Sequence, residues 1–261
     1  MIARWFESLT AVPMGIVVVG GFVTVTVLVG YVVARLTPQS VREQHNELAG
    51  FILAVIGVIY AVLLAFVVID VWDRFERAET RTYDEATSLT TVYRDAGSFA
   101  GGSSVRAGLR EYVGLIVDDE WPRMREGERS PEARAAVEQV DLAVRQLPVK
   151  TPRDQDVQDQ MLQAMDAALA DRDERLSSDA TGIGAVMWFV LISGALITVS
   201  FTYLFGFKHS LMQHLMTGSL SLLIGLILFL ALALEYPYRG GLIVSPEAFE
   251  NALSVFKLIG S

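Results

Sequence analysis

Hydrophobic and polar positions divide this chain into long blocks. Four runs hold no Asp, Glu, Lys or Arg: Ala11–Ala34, Leu48–Ile69, Ala180–Phe207 and Ser210–Leu234. They are 24, 22, 28 and 25 residues long. A bilayer core of about 30 Å takes about 20 apolar residues at about 1.5 Å rise each. The pattern therefore predicts four membrane-spanning helices. The first run exceeds the roughly 7–15 apolar residues of a secretory signal and is expected to persist as a helix.

Between the second and third runs the period changes to an amphipathic 3.6. Phe75, Tyr83, Ala86, Leu89 and Tyr93 form one stripe, and Val105, Leu109, Tyr112, Val113 and Ile116 a second. Two more follow: Ala133, Val137, Val140, Val144 and Leu147, then Val157, Met161, Met165, Ala168, Arg172 and Leu176. Ser103 and Ser104 are expected to cap the second of these helices, and Trp121-Pro122 to close it. Ser130-Pro131 and Thr151-Pro152 are helix starts, a capping hydroxyl followed by a residue with preset φ. After the fourth run, Tyr236 and Tyr238 suit the headgroup level, and Pro237 stops the helix. Ser245-Pro246 then opens an amphipathic segment with Phe249, Ala252, Leu253 and Phe256 on one face. No strand-like alternation is found.

The expected fold is an all-α polytopic membrane protein, with a helical cytoplasmic bundle inserted between the second and third of four transmembrane helices. The expected domains are an N-terminal hairpin (1–72), a cytoplasmic helical block (73–179), a C-terminal hairpin (180–236) and an interfacial tail helix (237–261). Orientation follows Lys and Arg near the span ends. Arg4, Arg74, Arg77, Arg81, Arg172, Arg175 and Arg239 lie on one side, against Arg35, Arg42 and Lys208 on the other. That places the termini and the central block in the cytoplasm, and the chain in the cell inner membrane.

Composition narrows the chemistry. The chain has 261 residues, is 52% hydrophobic and carries a formal charge of −9. Acids outnumber bases in the central block, which argues against nucleic acid as a partner. With no cysteine, thiol catalysis and Cys-ligated metals are excluded. His45, His209 and His214 are not spaced as metal ligands, and no glycine-rich phosphate loop occurs. No enzyme activity, cofactor or metal is expected. Asp118-Asp119-Glu120 reads as a solvated helix face. Proton pumping needs an ionisable group inside the membrane, and Asp70 and Glu235 both sit at span ends.

What remains is packing and permeation. In the second run Gly50, Ala54, Gly57, Ala61 and Ala65 form a small-residue stripe where another helix can approach closely. Ile52, Val55, Ile59 and Phe66 lie on a wholly apolar face. That face suits lipid, or a constriction that gates by dewetting if copies surround an axis. Asp70, Arg74, Arg77, Arg81 and Glu235 are candidate pore-mouth charges. Asp73 with Arg77, and Arg81 with Glu85, are also spaced for i,i+4 pairing, and Glu235 for pairing with Arg239.

The stretches "HNELAGFILAVIGVIYAVLLAFVVIDVWDRFERAETRTYDEATSLTTVYRD", "REYVGLIVDDEWPRM" and "ALEYPYRGGLIVSPEAF" resemble the bacterial bestrophin-like membrane family. The resemblance covers about residues 45 to 255, with Glu235 where Asp is more usual and Tyr238-Arg239 where Phe-Ser is common. It implies similarity to bestrophins, pentameric anion channels whose second span lines a narrow apolar neck. The implied function is a homo-oligomeric ion channel, its second span nearest the pore and its partners the lipid bilayer, further copies of itself and inorganic ions. The acidic block would concentrate cations instead, so the ion stays open. The alternative is a non-conducting membrane scaffold or signalling adaptor whose cytoplasmic bundle binds partners. No span is broken by a filter or midplane site, which favours that alternative.

Overall fold

The structure, a computed structural model, describes residues 11–37, 46–178, 182–205, 210–239 and 241–260. Arg4, Arg42, His45, Lys208 and His209 lie outside them. Most of the described residues are helical, with no strand among them. In chain order the helices are α1 (Ala11–Leu36), α2 (Asn46–Ala96), α3 (Gly102–Leu115), α4 (Trp121–Glu126), α5 (Pro131–Arg145), α6 (Pro152–Ser178), α7 (Ala185–Thr202), α8 (Ser210–Leu234) and α9 (Glu247–Gly260). A widened π-type turn, Ile116–Glu120, joins α3 to α4. Four of them, α1, α2, α7 and α8, are long and apolar enough to cross a membrane.

The chain forms two compact units. One comprises Met1–Asp73, Gly182–Glu235 and Gly240–Leu242; the other comprises Arg74–Thr181, Tyr236–Arg239 and Ile243–Ser261. Helix α2, 51 residues long, contributes to both.

In the membrane unit α1 packs along α8, and α8 along α7. Tyr60, Leu64 and Val67 of α2 join Leu191, Ala195 and Val199 of α7 and Ile224 and Leu228 of α8 in one buried cluster. Polar groups tie the helices where lipid offers no competing partner. The Tyr60 hydroxyl donates to the Leu191 carbonyl at 2.9 Å, and Tyr203 to the Thr26 carbonyl at 2.8 Å. Thr202 and Thr217 pair at 2.9 Å. The Tyr60 ring comes so close to α7 that a Cβ on Gly194 would lie 2.5 Å from it. Only glycine lets the hydroxyl reach its carbonyl.

The second unit is a helical bundle around a continuous apolar core. Its caps follow the sequence. The Ser130 hydroxyl accepts from the Ala133 N–H at 3.0 Å, and the Thr151 hydroxyl from the Asp154 N–H at 3.1 Å. The Asp154 carboxylate accepts the Thr151 N–H in return at 2.9 Å, which closes a capping box.

Four expectations change. Ser103 and Ser104 do not cap α3: Gly101 does, at φ 91° and without a side-chain bond. Trp121-Pro122 does not close the helix. Pro122 cannot donate and would strike the carbonyl a turn before it, but the π-type turn opens the winding there and the helix continues to Glu126. Tyr83 is exposed, and α2 buries Ala78, Thr82 and Glu85 beside the expected Ala86, Leu89 and Tyr93. The apolar face of α9 does not rest at a lipid interface. Phe249, Ala252 and Phe256 lie in the bundle core, Phe256 stacked on Tyr93 with centroids 4.0 Å apart.

Candidate functional site

Helix α2 presents three separate faces along its apolar run. Ala49, Tyr60, Leu64, Val67 and Val71 are buried. The candidate lining residues Val55, Ile59 and Phe66 are 47%, 66% and 68% exposed, and Ile52 is half-buried. On the small-residue stripe Ala54, Ala61 and Ala65 are exposed, Gly57 faces open space, and Gly50 meets only the Phe205 ring, at 3.8 Å. At about 100° per residue these stripes point roughly 95–145° apart. The chain's own helices use one of them. Among the described residues, no helix packs against the stripe expected to receive one.

The candidate mouth charges differ in their surroundings. Asp70 is exposed at the end of the apolar run of α2, and Arg74 is half-buried. Arg77 is exposed. Arg81 turns away from Glu85 and bonds Asp171 and Glu174 on α6, both at 3.0 Å. The i,i+4 spacing suggested otherwise, but a second helix supplies better-placed carboxylates. Glu235 is buried, and its carboxylate accepts the Trp188 indole N–H at 3.0 Å. Helix α8 stops at Leu234, so the helix does not persist as far as Arg239. Arg239 lies over the Tyr236 ring, 5.6 Å from its centroid.

A cluster that sequence reading missed lies in the core of the second unit. Glu85 of α2, Glu120 at the end of the π-type turn, and Arg172 and Arg175 of α6 are all buried. Arg175 donates to Glu85 through Nε at 2.7 Å and through Nη2 at 3.1 Å, and to Glu120 at 2.8 Å. Arg172 bonds the other Glu120 oxygen. The Tyr112 hydroxyl donates to Glu85 at 3.1 Å. The Arg175 guanidinium also lies 5.2 Å from the Trp121 ring and 5.5 Å from Phe249. Two acids and two bases balance, as a dry interior demands.

Burial works against the charge on Arg175. The Glu85 and Glu120 carboxylates more than offset it and hold the guanidinium charged well above its ordinary range. Burial first, and Glu85 second, push the Tyr112 hydroxyl well above its usual value, so it remains a donor. Tyr238, placed by sequence at the headgroups, is instead buried against this core. Its hydroxyl donates to the Ala78 carbonyl at 2.9 Å, and burial pushes it up to about 12. The reading of Asp118-Asp119-Glu120 as a solvated face holds for exposed Asp118 and fails for buried Glu120.

Asp119 stands between. Hydrogen bonds from Ser130 and Arg123 hold its carboxyl below the usual range. A carboxyl depressed on folding contributes stability above its unfolded pKa of about 4 and loses it as pH falls through the folded value. Asp119→Asn is therefore expected to flatten the acid limb of the stability curve below about pH 4. Acid titration of the two full-length chains, followed by circular dichroism, checks this. Identical acid limbs would show that the clasp contributes nothing.

Among the described residues no group of three or more His, Cys, Asp or Glu side chains could hold a metal.

Three solved structures illustrate the fold. A crystal structure of a bacterial bestrophin homologue from Klebsiella pneumoniae matches with TM-score 0.70 and 12% identity over 93% of this chain and 99% of that one. Another from the same organism, phased on zinc, gives TM-score 0.64 and 14% identity over 92% and 98%. A crystal structure described as a membrane protein gives TM-score 0.69 and 12% identity, again over 92% and 98%. No curated protein matches the chain. The model of the bestrophin-like domain matches residues 20–249. That span takes in most of α1, the other three apolar helices and the whole buried charge cluster, and by it this chain belongs to the bestrophin-like family of membrane proteins.

Proposed function

We propose that the chain assembles into a homo-oligomeric ion channel of the inner membrane, with α2 nearest a shared axis and the helical bundle on the cytoplasmic side. The observation that carries this reading is the pair of unused faces on α2. Lipid could cover Val55, Ile59 and Phe66 alone. A stripe of Gly57, Ala54, Ala61 and Ala65 offers lipid little contact and suits a second backbone. Copies around an axis use both faces, the small stripe against a neighbour and the apolar one towards the pore. A pentamer is the number that family resemblance implies. Discrimination between ions is weak in this reading, since the family implies anions and the acidic bundle concentrates cations.

An apolar constriction conducts only when wetted. Shortening its side chains widens it and lowers that barrier, and each 1.4 kcal/mol is about tenfold in rate. Val55→Ala and Ile59→Ala are therefore expected to raise ion flux from proteoliposomes several-fold, while Val32→Ala, at an exposed position on α1, leaves it unchanged. Native mass in detergent should show a closed ring. A silent monomer or dimer would instead support the scaffold reading. Unchanged flux across the series would remove these positions from the pore.

A further inference from the structure

Along the apolar run of α2 one side chain can make a hydrogen bond. From Leu48 to Ile69 every residue but Tyr60 is aliphatic, phenylalanine or glycine. The Tyr60 hydroxyl donates to the Leu191 carbonyl of α7 at 2.9 Å. Its ring is buried and fills the notch left by Gly194, the one glycine of α7. Leu64 and Val67, one and two turns further on, share that face and lie in the same buried cluster as Leu191 and Ala195. Apolar packing of this kind carries no direction. A hydrogen bond does, and it weakens steeply as its angle closes. The frame against which α2 is set is itself tied. Tyr203, at the end of α7, bonds Thr26 of α1, and Thr202 of α7 bonds Thr217 of α8.

We propose that Tyr60 is the pivot of α2. Its hydroxyl on the Leu191 carbonyl and its ring in the Gly194 notch fix the rotation of α2 about its own axis, and so decide which faces of the helix are left outside the packing of the chain. Consecutive residues of a helix point about 100° apart. Ile59, directly before Tyr60, is on the candidate lining face, and Ala61, directly after it, is on the small-residue stripe. Both are exposed, while Tyr60 between them is buried. One side chain therefore sets the azimuth of the other two.

Tyr60 is in this sense a positioning residue, acting through Ile59 and Ala61. A rotation of about 100° would exchange each face for the next, and a smaller one would turn Ile59 off a shared axis and Ala61 off a neighbouring helix. That these two faces are a pore lining and a subunit seam rests on the function proposed above. The pivot itself is a property of the single chain.

The chain has no cysteine, so single thiols can be placed without background. Full-length chains carrying Ile59→Cys or Leu64→Cys are purified in detergent, with Tyr60 kept or with Tyr60→Phe added, and their alkylation by N-ethylmaleimide is timed. Losing the hydroxyl frees the rotation and averages the faces, so Leu64→Cys should react faster and Ile59→Cys slower. About threefold is expected at each, the average worth of one interhelical hydrogen bond in a membrane expressed as a ratio. Gly194→Ala, which drives the ring from its notch, should shift both rates in the same directions. Opposite shifts at the two positions support the pivot. Unchanged rates overturn it. So does a rise at both positions, which would mean that the whole unit has loosened. Flux from proteoliposomes is read separately. Opposite shifts with no flux in any variant, wild type included, would keep the pivot and remove the channel.

Discussion

Arg175→Ala is expected to collapse the helical bundle. The substitution leaves Glu85 and Glu120 facing each other in a dry core with only Arg172 to balance them. Removing one partner of a buried ionic network costs about 3–5 kcal/mol, a large share of a typical domain's 5–15 kcal/mol. The packing of Arg175 on Trp121 and Phe249 is lost as well. Limited proteolysis of the full-length chain in detergent should show the fragment around residues 74–178 lose its resistance. Charge and packing can be separated. Arg175→Met keeps much of the volume, and adding Glu85→Gln removes one of the stranded charges. If uncompensated charge dominates, the double variant is more resistant than Arg175→Met alone. A double variant no better than the single one would place the cost in packing.

Gly102→Ala is expected to rank next. A Cβ at this position would lie 1.7 Å from the Ala96 carbonyl oxygen, and Ala96 is fully buried. The obstacle is backbone, so no side chain can swing aside. The start of α3 must move away from the end of α2, and both carry core residues. A loss of more than about 2 kcal/mol follows from the repacking this forces. Gly101 is the control. Its φ of 91° favours glycine, yet nothing lies within 4 Å of its missing Cβ. Gly101→Ala should cost only about 1–2 kcal/mol. Thermal melts of both variants in detergent check the order. Equal melting temperatures for Gly102→Ala and wild type would mean the helix junction is looser than described.

Much of the fold was legible because the relevant signals are local. Charge-free runs marked the four long apolar helices, and Ser130-Pro131 and Thr151-Pro152 marked helix starts that the hydrogen bonds bear out. The α6 stripe through Met161, Met165, Ala168, Arg172 and Leu176 was also readable, since its 3.6 period is unbroken. The charge cluster was not. Charged residues are usually solvated, and Glu85 had an apparent partner in Arg81 one helical turn away. Only tertiary packing decides that Arg81 turns to α6 while Glu85 turns inward. A signal did exist: Arg172 occupies a position on an otherwise apolar stripe, which requires a buried partner somewhere. Tyr238 misled for a related reason. An aromatic directly after an apolar helix suits a membrane boundary, and nothing local reveals the Ala78 carbonyl that receives its hydroxyl. The candidate lining face of α2 was legible as a face, and Val55, Ile59 and Phe66 on it are exposed.

The widened turn at Ile116–Glu120 sets a constraint on how this segment can vary. By carrying one residue more than ordinary winding, it sends Glu120 inward to two arginines while Asp119 clasps Ser130 and Arg123 nearer the surface. The same loosened winding accommodates Pro122. Turn length, proline and the order of the two acids are therefore locked together. A one-residue deletion would rotate everything before it by about 100° relative to everything after it. Such a segment tolerates exchange of side chains far better than any change in its length.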